Sequence, residues 1–329
     1  MNSIKIVAMT IIAIMLHGCA PDKSGQPFSF PSNAIAPAPV PVPVPTSGGG
    51  GTGPTPAPGT GGGSCTSTQA ATTTGGCISA SSQFTTTIAT NQTFSGLASD
   101  SSSLYMLLYQ NDGGGIHHWI IQKNLLAGAG WSNICSILDD GNFSGGLGYD
   151  GTYFYITDYQ SSSTNIRRFL ASNCSTASTV SVGYVVNMLD TTKYIASDGA
   201  SSLYFGSVQI SGNAGNFASF NSSTGTLINS SGEVSLGGQT TNWGMPSGLS
   251  FGGGYLWAIL PNSGGTNPLL WKLTSAGAAV GWSNLAATGN SNLTQLSAVT
   301  VQSTSTAIVM TNFTTATQLQ FTILNISGF

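Results

Sequence analysis

Along this chain a short apolar stretch, a polar turn and a second, alternating apolar stretch recur as a unit. The clearest copy is residues 146–160, G-L-G-Y-D-G-T-Y-F-Y-I-T-D-Y-Q, where Asp150-Gly151 makes the turn. Strand, tight turn, strand is a β-hairpin pattern. Leu97-Ala98-Ser99-Asp100 leads into residues 104–109 in the same way, and Ile195-Ala196-Ser197-Asp198-Gly199 leads into residues 203–205. Leu249-Ser250-Phe251-Gly252 leads into residues 255–259, and Ala298-Val299-Thr300-Val301 into residues 307–310. With Leu97, Leu147, Ile195, Leu249 and Ala298 as markers, the steps are 50, 48, 54 and 49 residues. The spacing predicts a five-fold repeat.

Each repeat divides into four strands. In the first they fall at residues 96–99, 104–109, 117–124 and 131–138, and no segment keeps a helical period. Four-stranded units every 40 to 50 residues are the pattern of blades. In this arrangement of strands the chain resembles the β-propeller family over about residues 80–329. The fifth repeat supplies strands at 296–301, 307–312 and 318–324 and lacks a fourth, while residues 83–90 form a strand that belongs to no repeat. The resemblance implies that this N-terminal strand completes the last blade and closes the ring, leaving no long edge unpaired. Gly130-Trp131-Ser132-Asn133 returns as Gly281-Trp282-Ser283-Asn284, about three blades on. The expectation is an all-β, five-bladed β-propeller behind a Pro/Gly-rich tether; a six-bladed ring and a β-sandwich pair are the rival architectures.

The first eighteen residues read as an export signal. Lys5 precedes an apolar run from 6 to 16, interrupted by Thr10, that is too short to span a bilayer permanently. Leu16-His17-Gly18-Cys19 resembles a bacterial lipobox, with His17 departing from the residue usual at that place. The resemblance implies a lipoprotein whose Cys19 is diacylated, palmitate being a typical chain, and held at a membrane surface. An ordinary secretory signal is the alternative. Ala20 stands where a common inner-membrane retention signal has Asp, which favours the outer membrane.

Residues 19–64 read as a linker, with Ala-Pro and Val-Pro pairs over 36–45 forming a polyproline rod and glycine runs forming hinges. A flexible chain of this length spans roughly 35 to 40 Å. Residues 65–329 then form one domain. Charged residues make up 5% of the chain, so electrostatics does not dominate what it binds, and no basic face points to nucleic acid. Loss of Lys5 with the signal moves the formal charge from −3 to −4. Four cysteines remain beyond Cys19, an even number suited to an oxidising compartment. Of three pairings the favoured one joins Cys65 to Cys77, pinning the start of the domain, and Cys135 to Cys174, on neighbouring repeats.

Candidate binding residues come from the loops that a propeller gathers on one face. An aromatic recurs before the first strand of three repeats, at Phe94, Phe143 and Trp243, with Asn142 and Asn242 beside the last two. Such rings and amides suit a sugar or peptide; the competing explanation is that each ring staples a blade to its neighbour. Trp119, Trp131, Trp257, Trp271 and Trp282 lie within strands and read as packing. His117 and His118 alternate across a strand, cannot chelate one metal together, and read as a solvated strand end. Arg167 and Arg168 alternate likewise. Asp139-Asp140-Gly141-Asn142 is too short for a full calcium loop, and Asp100, Asp150 and Asp198 are accounted for by their turns.

Propeller glycosidases need two carboxylates facing each other across the channel, and the predicted innermost strands carry none. The reading is therefore a non-catalytic, lipid-anchored outer-membrane protein, monomeric and without cofactor or metal, whose loop face takes a glycan or protein ligand in the manner of an adhesin or lectin. A periplasmic structural or assembly lipoprotein is the alternative, and a glycan-active enzyme the third.

Overall fold

The computed structural model describes residues 65–66, 68–126, 130–139, 143–160, 163–182, 194–208, 215–234, 248–260, 269–288, 296–312 and 317–329. Every described element lies in the unit Gly53–Phe329. Two strands come first, β1 (Gln69–Ala71) and β2 (Cys77–Thr87). Blade 1 follows with β3 (Gln92–Ser99), β4 (Ser103–Gly113), β5 (Ile116–Leu125) and β6 (Trp131–Leu138). Blade 2 holds β7 (Phe143–Tyr149), β8 (Tyr153–Gln160), β9 (Ser163–Leu170) and β10 (Thr176–Val182). Blade 3 holds β11 (Ile195–Ser197), β12 (Ser202–Val208), β13 (Gly215–Asn221) and β14 (Leu227–Val234). Blade 4 holds β15 (Gly248–Gly252), β16 (Tyr255–Leu260), β17 (Leu269–Leu273) and β18 (Ala279–Asn284), followed by a short 3-10 helix at Leu285–Thr288. Blade 5 is β19 (Leu296–Val301), β20 (Thr306–Asn312) and β21 (Gln318–Asn325), with β2 paired to β21 and β1 outside β2. All pairings are antiparallel, and the five sheets form an all-β five-bladed propeller.

The second strand of each blade carries a continuous apolar run of three or more residues, because both of its faces are buried along that run. In β4, Leu104, Met106 and Leu108 pack toward blade 5 while Tyr105 and Leu107 pack toward blade 2. In β8, Phe154 and Ile156 enter the blade 1–2 core and Tyr155 the blade 2–3 core. The same split holds for Leu256 and Ala258 against Trp257 and Ile259 in β16, and for Ile308 and Met310 against Ala307 and Val309 in β20. Five apolar cores, one per blade interface, thus replace a single centre. Each fully buried Leu, Ile or Phe contributes about 1.5–3 kcal/mol.

The turns between first and second strands follow from their aspartates. Asp100 Oδ1 accepts the N–H groups of Ser102 (2.8 Å) and Ser103 (2.7 Å), and Tyr105 donates its hydroxyl to Oδ2 at 2.7 Å. Asp150 repeats the device with Thr152, Tyr153 and Tyr155. Asp198 accepts three N–H groups, from Ala200, Ser201 and Ser202. In blade 4, which lacks the aspartate, Trp257 Nε1 donates instead to the Gly252 carbonyl at 3.0 Å.

Closure follows the expected scheme and goes beyond it. The N-terminal strand is longer than residues 83–90, running from Cys77 to Thr87, and β1 adds a fifth strand outside it. Past β1 the chain reaches blade 4: Thr73 N–H donates to Trp282 O, Trp282 N–H donates to Thr73 Oγ1, and Ser283 Oγ donates to Ala71 O, each at 3.0 Å. Phe329 crosses the same seam, edge-on to Trp257 and bonded through its carbonyl to Lys272 Nζ at 2.8 Å. Near the axis, Ser99 Oγ and Thr300 Oγ1 join blades 1 and 5 at 2.6 Å. The disulfides are Cys65–Cys77, which clips the β1–β2 hairpin, and Cys135–Cys174, which ties blade 1 to blade 2.

Candidate functional site

The repeat markers meet on the axis. Leu97, Leu147, Ile195 and Leu249, all buried, line both axial cavities and close the channel between them. The first cavity lies toward the β4–β5 loop face, has a volume of about 10 Å³, and is bordered by Phe94, Gly96, Tyr194, Gly248 and Ala298. The second lies toward the turn face, has about 30 Å³, and is bordered by Ser99, Ser197, Ser250 and Thr300. Ligand pockets run to about 300–1,000 Å³, so these spaces hold at most a few waters. No charged side chain borders either cavity.

Packing at the axis is tight because glycine precedes the marker in three repeats. A Cβ on Gly96 would stand 2.6 Å from the Leu147 backbone nitrogen, and one on Gly248 would stand 2.6 Å from that of Val299. The first strands of neighbouring blades therefore touch backbone to backbone.

Of the candidate ligand residues, Phe94 is half-buried, borders the loop-face cavity and packs against the blade 5–1 core. Phe143 opens β7, paired with Asp158, and its side chain lies outside the described residues. Asn142, Asn242 and Trp243 lie outside them as well, as does most of Asp139-Asp140-Gly141-Asn142. Among the described residues no group of three or more His, Cys, Asp or Glu is placed to hold a metal. Trp119, Trp257 and Trp271 are buried, while Trp131 and Trp282 are half-buried.

The histidines differ from the sequence expectation. They do point to opposite faces, yet neither is simply a solvated strand end. His118 Nδ1 lies 2.5 Å from Asp112 Oδ2, and His117 stacks on Tyr109 with ring centroids 5.2 Å apart. Asp112 in turn accepts from Gln110 Nε2 at 2.7 Å, and Gln110 Oε1 accepts from Gln92 Nε2 at 2.7 Å. A row of side chains thus runs across β3, β4 and β5. The His118 bond, followed by the Gln110 bond, holds the Asp112 carboxyl below its ordinary range. Burial, then the charge of Asp139, raises the Tyr109 hydroxyl. The sequence signal for this network was N-D-G-G-G-I-H-H at 111–118, which holds both histidines of the folded domain.

Three of the described basic residues are committed elsewhere. Lys123, Arg168 and Lys272 occupy one equivalent position, directly across from Tyr105, Tyr155 and Trp257. Lys123 sits 5.6 Å from the Tyr105 ring; Arg168 is 4.2 Å from Tyr153, and Lys272 is 4.1 Å from Tyr255. Such contacts contribute about 0.5–1 kcal/mol each at exposed sites. Burial lowers the Lys272 ammonium pKa. The three cations close separate blade interfaces and do not converge on one anion.

No protein-family model matches this chain, and no curated protein matches it in sequence. Among solved structures it is similar to a chain of a nidogen/laminin complex (17% identity, TM-score 0.38, 66% of this chain and 72% of that one). It is also similar to the Dos1 propeller (10% identity, TM-score 0.36, 71% and 69%). A third similarity is to the GH43_1 enzyme from Xanthomonas citri complexed with xylose (9% identity, TM-score 0.48, 75% and 92%).

Proposed function

We propose that this protein is a non-catalytic, lipid-anchored binding protein of the cell envelope, whose propeller presents its loop face to a glycan or protein ligand. The observation that carries the reading is the filled axis. Aliphatic side chains from four blades line both axial cavities formed by the described residues, and each cavity is water-sized, which favours recognition by the outer loops that a rigid ring is suited to display. The two disulfides suit an extracytoplasmic compartment, and the Leu16-His17-Gly18-Cys19 sequence supplies the anchor in this reading.

The test is protease or antibody accessibility of the domain on intact cells against a lysed control. Exposure on intact cells supports outward display. Protection until lysis replaces it with the periplasmic assembly role, to be pursued by crosslinking. Hydrolysis of a polysaccharide that vanishes when one aspartate is changed would overturn the non-catalytic reading.

A further inference from the structure

The chain that leaves the third strand of blades 2, 3 and 5 reaches back toward the blade before. Phe169, Phe220 and Leu324 each pack into the seam with that preceding blade, and five residues beyond them come Cys174, Gly225 and Phe329. What these three meet differs. Cys174 is bonded to Cys135 of blade 1. Phe329 lays its ring edge-on to Trp257 of blade 4, and its carbonyl accepts from Lys272 Nζ at 2.8 Å. Gly225 brings no side chain to blade 2; it fits against Val180 and Ser181 of β10 because a Cβ there would overlap the Ser181 carbonyl.

The cage that Phe329 closes in blade 4 is nevertheless present in blade 2. Tyr255, Trp257 and Lys272 are matched by Tyr153, Tyr155 and Arg168, with the cation directly across from the second aromatic in both blades. Lys272 lies 4.1 Å from the Tyr255 ring and Arg168 4.2 Å from the Tyr153 ring. Lys272 has an acceptor in its own chain. Arg168 has none: among the described residues no carboxylate pairs with it, and its enclosed Nε has no hydrogen-bond partner. Asp150, in the turn leading to Tyr153, spends both carboxylate oxygens on Thr152, Tyr153 and Tyr155. A guanidinium is planar, so stacking on Tyr153 uses its face and leaves its terminal N–H edge to donate. Arg168, Tyr153 and Ser222 are half-buried and Thr152 and Ser223 are exposed, which puts the cage at the surface of the turn face.

We propose that this rim of the blade 2–3 seam binds the C-terminal carboxylate of a peptide, the terminal N–H groups of Arg168 serving as donors and Tyr153 holding them in place. The site lies on the turn face, so the inference does not depend on the loop-face reading above. Phe329 on Lys272 shows the mode within the same molecule: an acceptor oxygen laid on the caged cation of the blade beside it. Arg in place of Lys suits a carboxylate, whose two oxygens match the guanidinium fork. A half-buried cation without a counter-ion carries a desolvation cost that such a partner offsets.

The full chain in detergent is titrated by calorimetry at low ionic strength with acetyl-Ile-Ser-Gly-Phe, the sequence of residues 326–329, as the free acid and as the amide. The acid should bind, and the amide should bind at least about tenfold more weakly. Arg168→Gln should cost the acid about the same factor, and Arg168→Lys, which keeps the charge and loses the fork, less. Melting curves establish that each variant is folded; if Arg168→Gln is not, Arg168→Lys and the difference between acid and amide decide. Lys272→Gln separates this site from displacement of the chain's own terminal segment. Affinity lost in that variant and kept in Arg168→Gln would overturn the assignment, as would equal binding of acid and amide. No saturable binding of the acid at millimolar concentration would sink it as well, and would leave the loop-face reading untouched.

Discussion

Phe84 and Phe321 lie directly opposite each other on β2 and β21, their rings stacked at 5.1 Å and 16°, although 237 positions (321 − 84) separate them in the chain. Trp131 of blade 1 tilts against the same Phe321 ring at 5.4 Å. One side chain therefore touches the strand that closes the ring and the blade beside the closure. Phe321→Ala should cost about 3–5 kcal/mol, and Phe84→Ala less, because Phe84 is only half-buried. Denaturant midpoints of the two variants measure the difference, and equal losses would contradict this account.

The disulfides should differ in what they contribute. Chain entropy assigns about 3 kcal/mol to a loop of the size closed by Cys65–Cys77 and about 4 kcal/mol to that closed by Cys135–Cys174. Replacing each pair with serines and comparing melting temperatures should rank Cys135–Cys174 as the more stabilising.

Gly96→Ala should destabilise by about 3 kcal/mol, because the added methyl meets backbone of blade 2 that cannot move without shifting its first strand. Gly254→Ala meets no atom within 4 Å, so only its positive φ of 82° opposes the change. Thermal unfolding should show the larger loss for Gly96, even though its φ is not in the left-handed region.

Acid should loosen the first-to-second-strand turn of blade 1. Burial pushes the Asp100 carboxyl up, but the bonds from Ser102, Tyr105 and Ser103 outweigh it and leave the group below its ordinary 3.8. A depressed carboxylate contributes stability that is present above the unfolded value and lost as pH falls through the folded one. Tyr105→Phe should cost about 1 kcal/mol at pH 7, with allowance for partial solvent screening, and less near pH 3. Stability curves of the variant and the parent should therefore converge in acid; a gap that stays constant with pH would remove Asp100 from the explanation.

Much of the ring was legible because its periodicity is physical. The marker positions Leu97, Leu147, Ile195 and Leu249 recur because each must reach the axis, and the missing fourth strand of the last repeat announced the N-terminal strand that replaces it. The Cys135–Cys174 pairing was legible for the same reason, since neighbouring repeats are neighbours in space. The bridge from β1 to blade 4 was not, because Gln69–Ala71 is short and its partners are mostly backbone groups. Nor was the partnership of Asp112 with His118, six residues apart across a three-glycine tip, which only the strand register brings together.

The Cys65–Cys77 clip has a mechanical consequence. A pull on the chain ahead of Cys65 would otherwise peel away β1, which is held to β2 by only three residue pairs. The covalent bond carries the load past that weak hairpin to Cys77, where β2 begins its long pairing with β21. Tension applied ahead of Cys65 then falls on the strand that locks the ring, and loads in shear the joint that also makes it a circle.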